Sequence, residues 1–148
     1  MMTITGYRQT DRPLLSGHWL RGELLGVPDP DAPVLTLPAS IEPKNVYVVR
    51  DTAVVHFAEL DWVHRRARLE IGLRPGTHDL AEVVRLAVRH GFVVLNLRRL
   101  YGWVTPAVAT PTEPLEAAGF VRETLVPQAI WHAGGPVDRQ QWGVLRDD

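Results

Sequence analysis

The stretch Leu69-Glu70-Ile71-Gly72-Leu73-Arg74-Pro75-Gly76-Thr77-His78-Asp79-Leu80-Ala81-Glu82-Val83-Val84-Arg85-Leu86-Ala87-Val88-Arg89-His90-Gly91-Phe92 changes period in its middle. Leu69, Ile71 and Leu73 alternate with Arg68, Glu70 and Gly72, the pattern of a strand with one buried face. From Leu80 onward, Leu80, Val83, Val84, Ala87, Val88 and Gly91 recur at helical spacing, with Glu82, Arg85 and Arg89 on the other side. Pro75-Gly76 punctuates the change, and Asp79 with Glu82 three residues later forms a capping pair. A strand that feeds a helix through a glycine-containing turn points amide N–H groups at an anion. Function turns on what those N–H groups bind.

Outward from this unit the chain reads as strands, helix, strand, helix, strands. Asn45 to Arg50 and Ala53 to Val63 are two β-rich runs separated by Asp51-Thr52, as in a meander. Beyond the helix, Leu97 to Val104 is a further strand, and the short helix Glu113 to Ala118 stops at Gly119. Val121 to His132 and Val137 to Leu145 are closing strands joined by Ala133-Gly134-Gly135-Pro136. Ahead of the core, Thr3 to Tyr7 is a short strand. Pro13 to about Leu25 has the proline start and the Leu15, Trp19, Leu20, Leu24 spacing of a helix. Prolines at 28, 30, 33, 38 and 43 then defeat both helix and central strand. The expectation is one α/β domain over residues 1–148, with 1–44 a variable substrate-side segment and 45–146 the core.

Sixteen basic residues against 17 acidic ones give no electrostatic footprint for nucleic acid or an anionic membrane, so neither is expected as a partner. With no cysteine, disulfides, thiolate metal sites and a Cys nucleophile are excluded. Met-Met-Thr-Ile-Thr-Gly-Tyr-Arg lacks a basic-then-apolar signal pattern, and no apolar run reaches bilayer length, so a cytoplasmic protein is expected. The histidines show no close pairing at ligand spacing, so no metal is expected. Ser16 and Ser40 sit in no nucleophile-elbow pattern, which argues against a hydrolase triad.

Glu70-Ile71-Gly72, the helix ending His90-Gly91-Phe92, Ala117-Ala118-Gly119-Phe120-Val121-Arg122-Glu123, Trp131, and Gly134-Gly135-Pro136-Val137-Asp138 come in that order along the chain. Together they resemble the Gcn5-related N-acetyltransferase (GNAT) superfamily, and within it the branch of ribosomal-protein N-terminal acetyltransferases. The resemblance implies a mixed, mostly antiparallel sheet flanked by helices, here with a reduced N-terminal part. It also implies that the sheet splays between its fourth and fifth strands and that acyl-CoA threads the gap. Amides after the fourth strand would bind the pyrophosphate through Arg or Gln, two residues, Gly, one residue, then Gly or Ala. Anchored on Phe92, that pattern sets Pro75 at the basic position and His78 and Leu80 at the small ones. A leucine side chain crowds the phosphate path, and a capping Asp79 competes for the same N–H groups and repels a diphosphate. Arg74, Gly76, Thr77 and His78 are left to form the anion site, and main-chain N–H at Ile71 or Leu73 would polarise the acyl carbonyl. Val108 stands near the family's asparagine, and the helix before Gly119-Phe120 has no tyrosine.

Acyl transfer to an amine requires a base, a polarised carbonyl and orientation. Glu70 is the first base candidate, and is equally suited to pair with Arg68 or Arg99. Glu59 and Asp61 fall on one face with Val55, Phe57 and Val63. There burial would raise a carboxyl pKa, unless the stripe emerges into solvent. His56 alternates onto the other face as a packing residue. Tyr101 and Trp103 share a face with Arg99, either lining a flat pocket with Tyr101 as proton donor or packing under a helix. The leading expectation is an acyltransferase using acetyl-CoA or another acyl-CoA on a small-molecule amine. Its acceptor side would be completed by the second subunit of a homodimer or by the proline-rich connection. The alternatives are an enzyme that keeps the fold without CoA, and a non-catalytic binding protein. In the first, Glu59, Asp61, Glu70 and Tyr101 would carry proton transfer for cyclisation, isomerisation or elimination.

Overall fold

Alternating Val, Leu and Ile give this chain its strands, and among the described residues a single sheet holds all of them. A computed structural model describes residues 2–8, 10–11, 22–26, 44–74, 76–108 and 110–147. Its strands are β1 (Ile4–Gly6), β2 (Val46–Val49), β3 (Ala53–Asp61), β4 (Arg66–Leu73), β5 (Arg99–Val104), β6 (Val121–His132) and β7 (Gly135–Leu145), with helices α1 (Leu80–Arg89) and α2 (Glu113–Ala117). The sheet order is β1-β2-β3-β4-β5-β7-β6. Every neighbouring pair is antiparallel except β4 with β5. That parallel pair needs a crossover, and α1 supplies it.

α1 is the expected helix with the expected start: the Asp79 carboxylate accepts the Glu82 N–H at 3.2 Å. Its apolar stripe, including Val83, Val84 and Ala87, is buried in one core with Phe57, Leu69, Ile71 and Leu100. Each such Val or Leu contributes about 1.5–3 kcal/mol through burial. Beyond Arg89 the helix widens into a π turn over His90–Val94. Gly91 lies there against Phe57 and Leu100, and a Cβ on it would stand 2.9 Å from Phe57 Cε1. α2 stops at Gly119, whose φ of +94° suits the expected C-terminal glycine.

The opposite sheet face is more polar. Strand alternation sends His56, Arg68, Glu70, Arg99, Tyr101 and Trp103 to it, while Phe57, Leu69, Ile71 and Leu100 go to the α1 side.

Two expectations for the N-terminal part need separate treatment. Residues 13–21 of the expected helix and the proline-rich run from 27 to 43 lie outside the described residues. Gly22 to Leu25, the end of that helix, is not helical. It is a kinked segment that bridges to two strands, because its backbone groups find partners there and not within a helical turn.

Candidate active site

β4 and β5 pair only from Arg66, Ala67 and Arg68 to Arg99, Leu100 and Tyr101, and then part. Leu73 and Val104 end the two arms of this splay. Gly22–Gly26 lies in it. The Ile71 N–H donates to Glu23 O (3.0 Å), the Gly26 N–H to Ile71 O (2.8 Å) and the Leu73 N–H to Gly26 O (2.8 Å). On the other side the Leu24 N–H donates to Trp103 O at 2.8 Å. Ile71 and Leu73, expected to present amides to a cofactor, therefore present them to the chain itself. The gap through which acyl-CoA would run is filled by protein backbone, and in this arrangement it does not admit that group.

Side chains secure the segment. Leu24 and Leu25 are wholly buried in the core shared with α1. Glu23 is 1% exposed; its carboxylate accepts from the Thr105 hydroxyl (2.6 Å), the Thr105 N–H (3.1 Å) and Arg139 Nη2 (2.7 Å). Burial pushes the Glu23 carboxyl up, and these hydrogen bonds with the Arg139 charge offset part of the rise. The Arg139 guanidinium in turn lies 5.7 Å from the Trp103 ring centroid.

Beside the splay stands a cluster of proton-handling groups. Arg68 is its hub, with Nη2 donating to Glu70 at 2.7 Å and Nη1 lying 3.0 Å from Glu59. The Tyr101 hydroxyl donates to Glu59 at 3.2 Å. Directly across the β3–β4 ladder from Glu70 is His56, whose Nδ1 lies 3.7 Å from Glu70 Oε2. Burial pushes the Glu70 carboxyl up, but the contact with His56 and the hydrogen bond and charge of Arg68 outweigh it and hold the group at about 2. Burial, reinforced by Glu59, pushes the Tyr101 phenol up, so Tyr101 stays protonated at neutral pH.

Other expected site residues are disposed differently. A bulge between Ala58 and Asp61, with Glu59 at φ +49°, breaks the expected shared stripe. Glu59 joins the cluster. Asp61 leaves it: its carboxylate accepts the Val63 and His64 N–H groups and contacts His64 Nδ1 at 2.8 Å. Those interactions lower the Asp61 carboxyl, and its half-buried side chain fits the alternative of a stripe that emerges into solvent. Arg99 is drawn to Glu123 by a two-pronged ion pair, its guanidinium 5.4 Å from the Tyr101 ring centroid.

The loop before α1 also uses its own donors. The Arg74 N–H donates to Thr52 O at 2.9 Å, the Thr77 N–H to Arg74 O at 3.2 Å, and the Thr77 hydroxyl lies 2.7 Å from Arg74 O. Gly76 and His78 are exposed. Of the expected anion site, then, Thr77 has spent its N–H and hydroxyl internally. Among the described residues no group of three or more His, Asp and Glu is arranged to hold a metal ion, and no helix is long and apolar enough to cross a membrane.

Two placements are not local in the sequence. His56, expected on a packing face, is set opposite Glu70 by a hairpin centred on Val63. The helix expected to run to about Leu25 takes in Gly22 to Leu25, and the glycines at 22 and 26 are the local signal of a kinked, closely packed backbone.

Comparison with known proteins supports the architecture. No protein-family model and no curated protein matches the chain. Among solved structures, a mutant form of the spermidine/spermine N-acetyltransferase SpeG from Vibrio cholerae matches with a TM-score of 0.75 at 18% identity, over 98% of this chain and 95% of that one. A second mutant of the spermidine N-acetyltransferase SpeG from the same organism matches with a TM-score of 0.73 at 18% identity, over 97% and 93%. The spermidine N-acetyltransferase of that organism in complex with CoA and spermine matches with a TM-score of 0.63 at 24% identity, over 68% of this chain and 64% of that one. This last match spans just under two-thirds of the neighbour. The chain has the Gcn5-related N-acetyltransferase fold. The ribosomal-protein branch finds no support in these neighbours, which are spermidine or spermidine/spermine N-acetyltransferases.

Proposed function

We propose that the chain is an acyl-CoA-dependent N-acyltransferase acting on a small-molecule amine. The observation that carries this reading is the parting of β4 and β5 at Arg68 and Tyr101, with His56, Glu59, Glu70 and Tyr101 gathered beside it. The neighbour crystallised with CoA and spermine supports the same chemistry on this fold. Acyl-CoA would supply a thioester-activated acyl group, and the chain's own residues handle protons and charge.

A carboxylate held at about 2 accepts a proton poorly at neutral pH, so Glu70 acts as a positioning residue. It faces His56 Nδ1, favouring the tautomer that leaves Nε2 to take a proton from an ammonium. Tyr101 is the proton donor. The exposed Glu59 carboxylate offers a counter-charge to a cationic amine, and Arg68 holds both carboxylates in place. Asp61 takes no part. A homodimer and a cytoplasmic location belong to the same proposal; a monomer in sedimentation equilibrium removes the first.

A second reading is favoured by one observation, the chain's own backbone between β4 and β5. With the gap closed, the same polar cluster would serve acid–base chemistry without CoA. The test is thiol release and product mass with acetyl-CoA and a panel of small amines, including spermidine and spermine, for the natural chain and for Leu24→Gly. Amine-dependent thiol release is expected, falling about 10²–10⁴-fold in kcat in His56→Gln. Absence of release from both folded proteins overturns the acyltransferase reading and leaves the second.

A further inference from the structure

The backbone in the β4–β5 gap is fitted to its place from both sides. Gly22 has φ +88°, and a Cβ there would stand 3.3 Å from Trp103 Cδ1. Across the gap, Gly102 gives Leu24 its space, since a Cβ on Gly102 would stand 2.6 Å from Leu24 Cγ. Glu23 and Gly26 make parallel bridges to Trp103 and Gly72, so the segment joins strands that have separated. The bonds it makes to Ile71 and Leu73 use main-chain groups at the edge of β4 that the splay would otherwise leave open.

An incoming acyl-CoA arm is itself an extended chain carrying amides, and it competes for those same edge groups. Two extended chains cannot occupy one strand-width gap. We propose that Gly22–Gly26 is an autoinhibitory strap: it closes the cleft of the acyltransferase by taking the acyl-CoA arm's place, and acyl-CoA enters only when the strap withdraws. The inference rests on the acyltransferase reading. The strap's strength comes from Leu24 and Leu25 in the core and from the buried Glu23–Arg139 pair. Its withdrawal breaks those contacts together, so the open state is a minority population. The apparent affinity for acyl-CoA falls in proportion to that fraction.

The test titrates acetyl-CoA into the natural chain and into Leu24→Gly, with circular dichroism to establish that the variant is folded. Amide hydrogen exchange at Leu24 and Gly26 is followed in the natural chain with and without saturating acetyl-CoA. The expected result is binding at least about tenfold tighter in Leu24→Gly, with Leu24 and Gly26 losing protection when the natural chain is saturated. Equal affinities with protection retained at saturation would overturn the strap while leaving the acyltransferase reading intact. No binding to either protein at millimolar acetyl-CoA overturns both. If Leu24→Gly does not fold, the exchange experiment on the natural chain decides alone: loss of protection supports the strap, and retention refutes it.

Discussion

Gly102 faces Leu24 so closely that a Cβ on the glycine would stand 2.6 Å from Leu24 Cγ and 2.7 Å from Leu69 O. The second of these is backbone and cannot turn aside. Gly102→Ala is therefore expected to cost about 1–3 kcal/mol, the range for overpacking a filled core. Adding Leu24→Ala removes one clash and leaves the other, so the two changes couple: the alanine at 102 costs less in the Leu24→Ala background, but still something. Urea unfolding of the four proteins in the cycle measures this. Strict additivity would mean that the segment does not lie against β5.

Gly143 makes an instructive contrast. A Cβ there would stand 2.6 Å from the Glu123 carboxylate, the movable end of a side chain. Gly143→Ala should displace Glu123 and weaken its pairing with Arg99, a partly exposed pair worth about 1 kcal/mol or less. The same unfolding assay should rank Gly143→Ala clearly milder than Gly102→Ala. The reverse order would contradict the packing described for the splay.

This contrast marks the boundary of what the sequence makes legible. Periodicity places the strands, α1 and the short α2, because Leu69, Ile71 and Leu73 or Val83, Val84 and Ala87 repeat at fixed spacing and one face of each is buried. The Asp79 cap and the Gly119 stop are local chemistry, legible within four residues. The occupancy of the splay is not local. It depends on Gly22–Gly26 meeting residues about fifty and eighty positions further on, and nothing in Gly-Glu-Leu-Leu-Gly announces where it will pair. The shared face of Glu59 and Asp61 that strict alternation predicts fails at the bulge at Glu59, where a left-handed residue reverses the faces. A lone histidine among valines reads as packing in the sequence, and only the hairpin register brings out that Glu70 stands opposite His56.

His90 carries a pH dependence whose sign is set by burial. Its ring lies 4.1 Å from Tyr47 by centroid, and Nε2 is buried with no hydrogen-bond partner among the described residues. Burial pushes its pKa below the ordinary 6.5. The unfolded chain therefore takes up this proton at higher pH than the folded one. The contribution to stability is fully present above 6.5 and is lost as pH falls through the lowered folded value. His90→Phe should thus be less sensitive than the natural chain between about pH 7 and 5. Thermal unfolding at both pH values measures the difference, and parallel losses in the two proteins would contradict the assignment.

Glu70 gives the opposite family of effects at lower pH. Its folded pKa of about 2 lies below the ordinary value of 4.5, so the folded state holds the ionised form. Its stabilising contribution is present above 4.5 and drains away as pH falls from 4.5 towards 2. Glu70→Gln cannot ionise and leaves Arg68 and His56 without their shared carboxylate. The variant should be less stable than the natural chain at neutral pH, and the gap should narrow steadily below 4.5. If His56 takes its orientation from Glu70, as proposed, the same variant should lower kcat for amine acylation more than it raises KM. A stability gap unchanged between pH 7 and pH 3 would mean that Glu70 is not held ionised. A gap that narrows while kcat is untouched would make the Glu70 contacts structural and remove His56 from the proton-accepting role.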